Sequence, residues 1–154
     1  MTAADLRRAA KAAKQLFAAG AVEDPWVRSH ARLEQPIEVM APGGSRAAWF
    51  IPVLAEQSLV GYLLLDPALQ FIKWSSFQRR PGSLERCPKA NAWIDPERVV
   101  AIARQAARAD TRFGTPTLSY DGVLDRIAWR VPATGPDGKT STIFVAGEFA
   151  YAAR

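Results

Sequence analysis

One stretch of this chain occurs twice, and that repeat limits the possible folds more than any other feature. RAAWFIPV at 46–53 returns as RIAWRVPA at 126–133. Sliding the sequence by eighty positions aligns Arg32 with Arg112, Pro36 with Pro116, Arg46 with Arg126, Ala48 with Ala128, Trp49 with Trp129 and Pro52 with Pro132, without a gap. Apolar pairs continue the match: Ile51 with Val131, Leu63 with Ile143, Leu64 with Phe144, Leu65 with Val145, Leu69 with Phe149 and Phe71 with Tyr151. Self-similarity over such a span means that one supersecondary unit is built twice.

The repeated string has the period of a strand. Ile127, Trp129, Val131 and Ala133 alternate with Arg126, Ala128, Arg130 and Pro132, which sends one set inward and the other outward. In the first copy Ala47, Trp49, Ile51 and Val53 form the inward set, so the tryptophan keeps its side. Pro52 and Pro132 cannot donate to a ladder, which predicts an edge or a bulge at both places. Gly- and Asp-containing turns, APGGS at 41–45, DGVLD at 121–125 and TGPDGK at 134–139, punctuate the strands as hairpins.

A helix precedes each set of strands. In the first, Leu6, Ala9, Ala10, Ala13, Leu16 and Phe17 make one apolar stripe, with Arg7, Lys11 and Lys14 on another. The second is predicted to start at Asp95 as N-cap with Pro96 behind it, to bury Val99, Ile102, Ala103 and Ala106, and to end near Asp110. The fold class expected is therefore α+β, two tandem helix-plus-antiparallel-sheet repeats at 1–75 and 95–154. The intervening 76–94 reads as a linker whose aromatics tie it to the surface. The apolar run LVGYLLL at 59–65 is far too short to span a bilayer and reads as a buried strand.

Composition bounds the chemistry. The 154 residues, 49% hydrophobic and 23% charged, suit one globular domain or two very small ones. The single cysteine, Cys87, excludes an internal disulfide and any multi-cysteine metal site. The first twenty residues carry no continuous apolar run, which predicts a cytoplasmic chain, or a periplasmic one if a leader has been trimmed. No phosphate-cradling glycine motif or His metal spacing occurs, so no cofactor or metal is expected. His30 lies in the polar connection DPWVRSHARLE and reads as a surface histidine. Cys87 sits near Arg86 and Lys89, which favour a lowered thiol pKa, but neither residue belongs to a nucleophile motif. The chain is accordingly expected not to be an enzyme.

The second copy, through DPERVVAIARQAA, LSYDG, RIAWRVPA, DGK and TIFVAGEFAY, resembles a PepSY or thermolysin-propeptide module. The resemblance covers 95–154 closely and 36–74 loosely. It implies a cystatin-like arrangement, a helix on a curved antiparallel sheet, and a noncatalytic role in inhibiting, chaperoning or localising proteases or in envelope binding. The family has no catalytic residues to carry over, and its modules are usually exported, unlike a chain without a signal sequence.

Two binding readings follow. In the first sheet both faces of 59–65 are apolar, and Phe50 stands where the second copy has Arg130. That face is covered by the other repeat, by the linker or by another molecule. It points to a protein or peptide partner, or a second copy of the chain, contacting Phe50, Tyr62 and Trp74. The alternative is single-stranded nucleic acid. The net charge of +5 suits a polyanion, and Arg79, Arg80, Arg86 and Lys89 lie near Trp74 and Phe77 in the pattern of cations beside stacking aromatics. Arg46 and Arg126 are expected to lie along their strands with their heads in water.

Overall fold

Helix α1 (Ala3–Ala18) begins at a reciprocal cap. The Asp5 N–H donates to Thr2 Oγ1 at 3.1 Å while the Thr2 N–H donates to Asp5 Oδ2 at 3.3 Å. In the computed structural model, which describes residues 1–154, contacts divide the chain into two units. One comprises Met1–Val39 and Arg46–Ala90, the other Met40–Ser45 and Asn91–Arg154. No helix is long and apolar enough to cross a membrane.

In the first unit α1 is followed by a short helix α2 (Pro25–His30), capped by Asp24 with Pro25 at its first position. This helix occupies the segment expected to be a plain connection. The strands are β1 (Arg32–Leu33), β2 (Ile37–Met40), β3 (Arg46–Ala55), β4 (Ser58–Leu65) and β5 (Phe71–Ser76). They form an antiparallel sheet in the order β1-β3-β4-β5, with β2 also on β3. Its core joins Trp49, Ile51, Val53, Leu63 and Leu65 to Ala9 and Ala13 of α1 and Val27 of α2. The small α1 residues allow a close approach of helix to sheet, and Leu6, Leu16 and Phe17 close the margins.

The second unit repeats the plan. Helix α3 (Asn91–Ile94) leads into α4 (Pro96–Ala103), capped by the Asp95 side chain as expected, and a 3₁₀ turn (Arg104–Ala106) follows. The helix is shorter than its predicted extent to Asp110. Val99, Ile102 and Ala103 are buried, but Ala106 is exposed. Strands β6 (Arg112–Phe113), β7 (Thr117–Tyr120), β8 (Ile127–Thr134), β9 (Thr140–Ala146) and β10 (Phe149–Ala152) form an antiparallel sheet in the order β10-β9-β8-β6, with β7 on β8. The α+β class and the tandem helix-plus-sheet plan are both present.

Pairing registers show how deep the duplication goes. Trp49 faces Leu65 as Trp129 faces Val145, and the correspondence persists through Phe50–Leu64 and Arg130–Phe144, Ile51–Leu63 and Val131–Ile143, and Pro52–Tyr62 and Pro132–Thr142. On the other side, Leu33 pairs with Val53 as Phe113 pairs with Ala133. The correspondence breaks after Val53, where a register shift pairs Leu54 with Leu59 while Thr134 pairs with Thr140, and again at the last strand. The first copy crosses from Leu65 to Phe71 through 66–70, whereas the second turns from Ala146 to Phe149 through 147–148. Lys73, opposite Leu64, therefore takes the place that Tyr151 takes opposite Phe144, and the gapless match of Phe71 with Tyr151 fails.

Two further expectations are corrected. Pro52 and Pro132 lie on interior strands, with neighbours on both sides, and of the expected bulges only the first copy has one, a register shift between Val53 and Leu54 beside Pro52. Each is tolerated because it falls where one flank changes from β2 to β1, or from β7 to β6. Its carbonyl there accepts from the Glu34 N–H at 2.9 Å or the Gly114 N–H at 2.8 Å, and the missing N–H faces the break in the ladder. The expected linker 76–94 is also not a separate piece. Residues through Ala90 belong to the first unit, while 91–94 form α3 of the second. The Phe77 N–H bonds Val60 O at 2.8 Å, the Leu59 N–H bonds Pro88 O at 2.9 Å, and Ser58 bridges to Lys89.

Candidate binding surfaces

Alternation along β3, β4 and β5 decides which aromatics share a face. Phe50 pairs with Leu64 and Tyr62 with Ser75, whereas Trp74 pairs with Leu63. Phe50 and Tyr62 therefore stand on one face, with ring centroids 4.6 Å apart, and Trp74 stands on the other, among the side chains packed with Trp49. The three residues do not form one surface. Phe50 is 0% and Tyr62 6% exposed, and Phe77 packs on Tyr62 at 6.0 Å with the Lys73 ammonium 5.8 Å from the same ring. The face is covered, as its composition predicted, and it offers little to an incoming partner.

Trp74 has a seat of its own. A Cβ on Gly61 would lie 2.3 Å from a Trp74 ring carbon and 2.3 Å from Ser75 O. The indole thus lies across a position that only glycine leaves open. The equivalent residue in the second copy is Ser141, and Trp129 there is held differently, its indole N–H donating to Trp93 O at 3.1 Å. Both repeated tryptophans are buried. Trp49 carries the Arg46 guanidinium 4.5 Å from its ring centroid. Arg46 also pairs with Glu38 at 2.6 Å and Asp5 at 3.5 Å, so its head is engaged in ion pairs rather than left to water.

The basic residues of 79–89 come together in part. Arg79, Arg80 and Arg86, with Ser83 and Glu85, line a surface concavity of about 390 Å³; Lys89 is exposed but not part of its wall. Phe77 is turned toward Tyr62 and Trp74 into the core, so neither stacks beside these cations. Cys87 is half-buried in this segment, its thiol 3.8 Å from Ser83 O, and burial pushes its pKa up rather than down. His30 stacks on Trp26 at 4.7 Å, its Nδ1 2.9 Å from Trp26 O.

The most exposed large apolar residue, Phe149, lies at the end of the second sheet. Strand β10 is terminal there; Phe149 is 79% and Tyr151 39% exposed. The Ala153 N–H bonds Thr142 O at 2.9 Å. By the alternation of an antiparallel ladder, Tyr151 and Phe149 also direct their backbone groups at β9, and Ala150 and Ala152 direct theirs outward. Beside this edge lies a concavity of about 520 Å³ lined by Asp121, Arg126, Phe144, Tyr151 and Arg154. The Tyr151 hydroxyl donates to Asp121 Oδ2 at 2.9 Å. Burial, the bond to Asp121 and the Asp121 charge push its pKa up to about 12.

In the sequence, Phe149 and Tyr151 stand out only as partners in the repeat and as part of the string TIFVAGEFAY. The signal available was FAYA itself, an uncharged apolar string closing a sheet unit. No family model, curated protein or solved structure matches the chain.

Proposed function

We propose that this protein is a noncatalytic binding module that takes an extended peptide segment of a protein partner as an added strand on β10. The observation that carries this reading is the character of that edge. Natural sheets guard terminal strands with lysine, proline, bulges or a covering element. Strand β5, the counterpart edge, has Lys73 and a register shift between Leu64 and Leu65. Strand β10 has no charged residue, no proline and no register shift in its pairing.

An incoming strand would pair with the outward backbone groups of Ala150 and Ala152 and lay alternate side chains beside Phe149 and Tyr151. The neighbouring concavity, with Asp121, Arg126 and Arg154, would supply polar selectivity at one end. The resemblance of 95–154 to PepSY modules supports the same class of role, partner binding without catalysis. The β10 edge replaces Phe50, Tyr62 and Trp74 as the proposed contact, the first two being covered and the third lying on the other face.

Panning a displayed library of random linear peptides against the protein tests this reading. Ala152→Pro removes an outward N–H and leaves the β9 ladder intact, as does Ala150→Pro. Peptides enriched on the wild type should lose at least tenfold in affinity for either variant, while the thermal midpoint stays within a few degrees. Enrichment that is equal on wild type and both variants, or no enrichment at all, contradicts the proposal.

A further inference from the structure

The turn carrying the arginines is built against an aromatic stack, and the sequence pairing of these cations with Trp74 and Phe77 misses it. The Ser83 N–H bonds Arg80 O at 3.1 Å, closing a turn in which Gly82 has φ +79°. A Cβ on Gly82 would lie 3.3 Å from the Trp26 indole nitrogen. Trp26 therefore borders the turn, and on its ring lies the exposed imidazole of His30, nearly parallel at 13° and fixed by the Nδ1 contact to Trp26 O. None of Arg79, Arg80 and Arg86 is held in a salt bridge. The concavity that they line also contains the Glu85 carboxylate, so its wall carries an excess of positive charge.

We infer that the Arg79–Arg80–Arg86 concavity and the adjoining His30–Trp26 stack form a binding site for single-stranded nucleic acid. Unpaired guanidinium groups around a concave surface suit phosphodiester oxygens. An exposed ring backed by a tryptophan offers a base a face on which to stack, irrespective of its sequence. A duplex keeps its bases stacked on one another and has none to give to the imidazole. This site is separate from the β10 edge, and neither depends on the other.

Fluorescence anisotropy with a labelled oligothymidylate tests the inference. Binding should weaken by about 20-fold between 50 and 200 mM salt, as release of counterions from roughly three phosphates requires. The double variant Arg79→Glu/Arg80→Glu should bind at least tenfold more weakly, with a shallower salt dependence. His30→Ala removes no fixed charge and should cost roughly fivefold or more through lost stacking. Lys11→Glu/Lys14→Glu, on exposed α1 positions, makes the same change in net charge and should bind like the wild type. The inference is overturned if the α1 variant weakens binding as much as the arginine variant, if His30→Ala binds unchanged, if a duplex of equal length binds as tightly, or if the wild type does not bind. Thermal unfolding of each variant confirms that the fold is retained.

Discussion

Gly61 is the residue at which packing leaves least room. A methyl group there meets both the Trp74 ring and a backbone oxygen at 2.3 Å, and a backbone oxygen cannot swing aside as a side chain does. Gly61→Ala should therefore cost about 3 kcal/mol or more in urea unfolding; a loss below about 0.5 kcal/mol would show that Trp74 lies elsewhere. Asp5 makes a pH prediction. Hydrogen bonds from Thr2, followed by Arg8 and Arg46, lower its carboxyl pKa from 3.8 to about 2. A depressed carboxylate stabilises the fold above its unfolded pKa and loses that contribution as pH falls through its folded one. The thermal midpoint of the wild type should thus exceed that of Asp5→Asn above about pH 4, and the two should converge near pH 2. Tyr151 shifts the other way. Ultraviolet titration should find a phenol ionising near 12, and Asp121→Asn should lower that value; an ordinary tyrosine titration in the wild type would remove Tyr151 from its bond to Asp121.

At the scale of elements, strand period was legible and strand neighbourhood was not. Alternation in RAAWFIPV and RIAWRVPA correctly sent Trp49 and Trp129 inward, because a period of two is a local property of extended backbone. Asp95 and Pro96 likewise marked the start of α4 from local chemistry. Helix α2 was hidden because six residues give little periodicity, although Asp24 and Pro25 repeat the Asp-Pro signal that marked α4. Trp74 was assigned to the wrong face because the register shift between Leu64 and Leu65 depends on the partner strand. The two prolines indicate an edge or a bulge in sequence, which does not show that a flanking ladder changes strands beside them. That geometry makes proline position specific. Pro132→Ala should change stability by less than about 1 kcal/mol, since the residue makes no ladder donation. Val131→Pro would instead remove an N–H directed at β9 and should cost about 3 kcal/mol or more, measured by urea unfolding. Equal effects would mean that the ladder is continuous at 132.

For the whole molecule, duplication is carried by register. The two interior strands hold their neighbours in matching pairs from Trp49 to Val53 and from Trp129 to Ala133, and divergence lies in a register shift after Val53 and in the final connection and strand. One copy ends in a lysine-bearing strand with a register shift, the other in an uncharged strand with Phe149 exposed. A repeat that preserves its frame can change one edge without disturbing the core, which accounts for a unit built twice with unlike ends. Amide hydrogen exchange, read residue by residue with and without a peptide selected on the protein, tests this most directly. The Ala150 and Ala152 amides should exchange rapidly in the free protein and become protected with peptide bound, while Tyr151 is protected throughout. Protection of Ala150 and Ala152 before any peptide is added, or rapid exchange that persists in the complex, would contradict strand addition at β10.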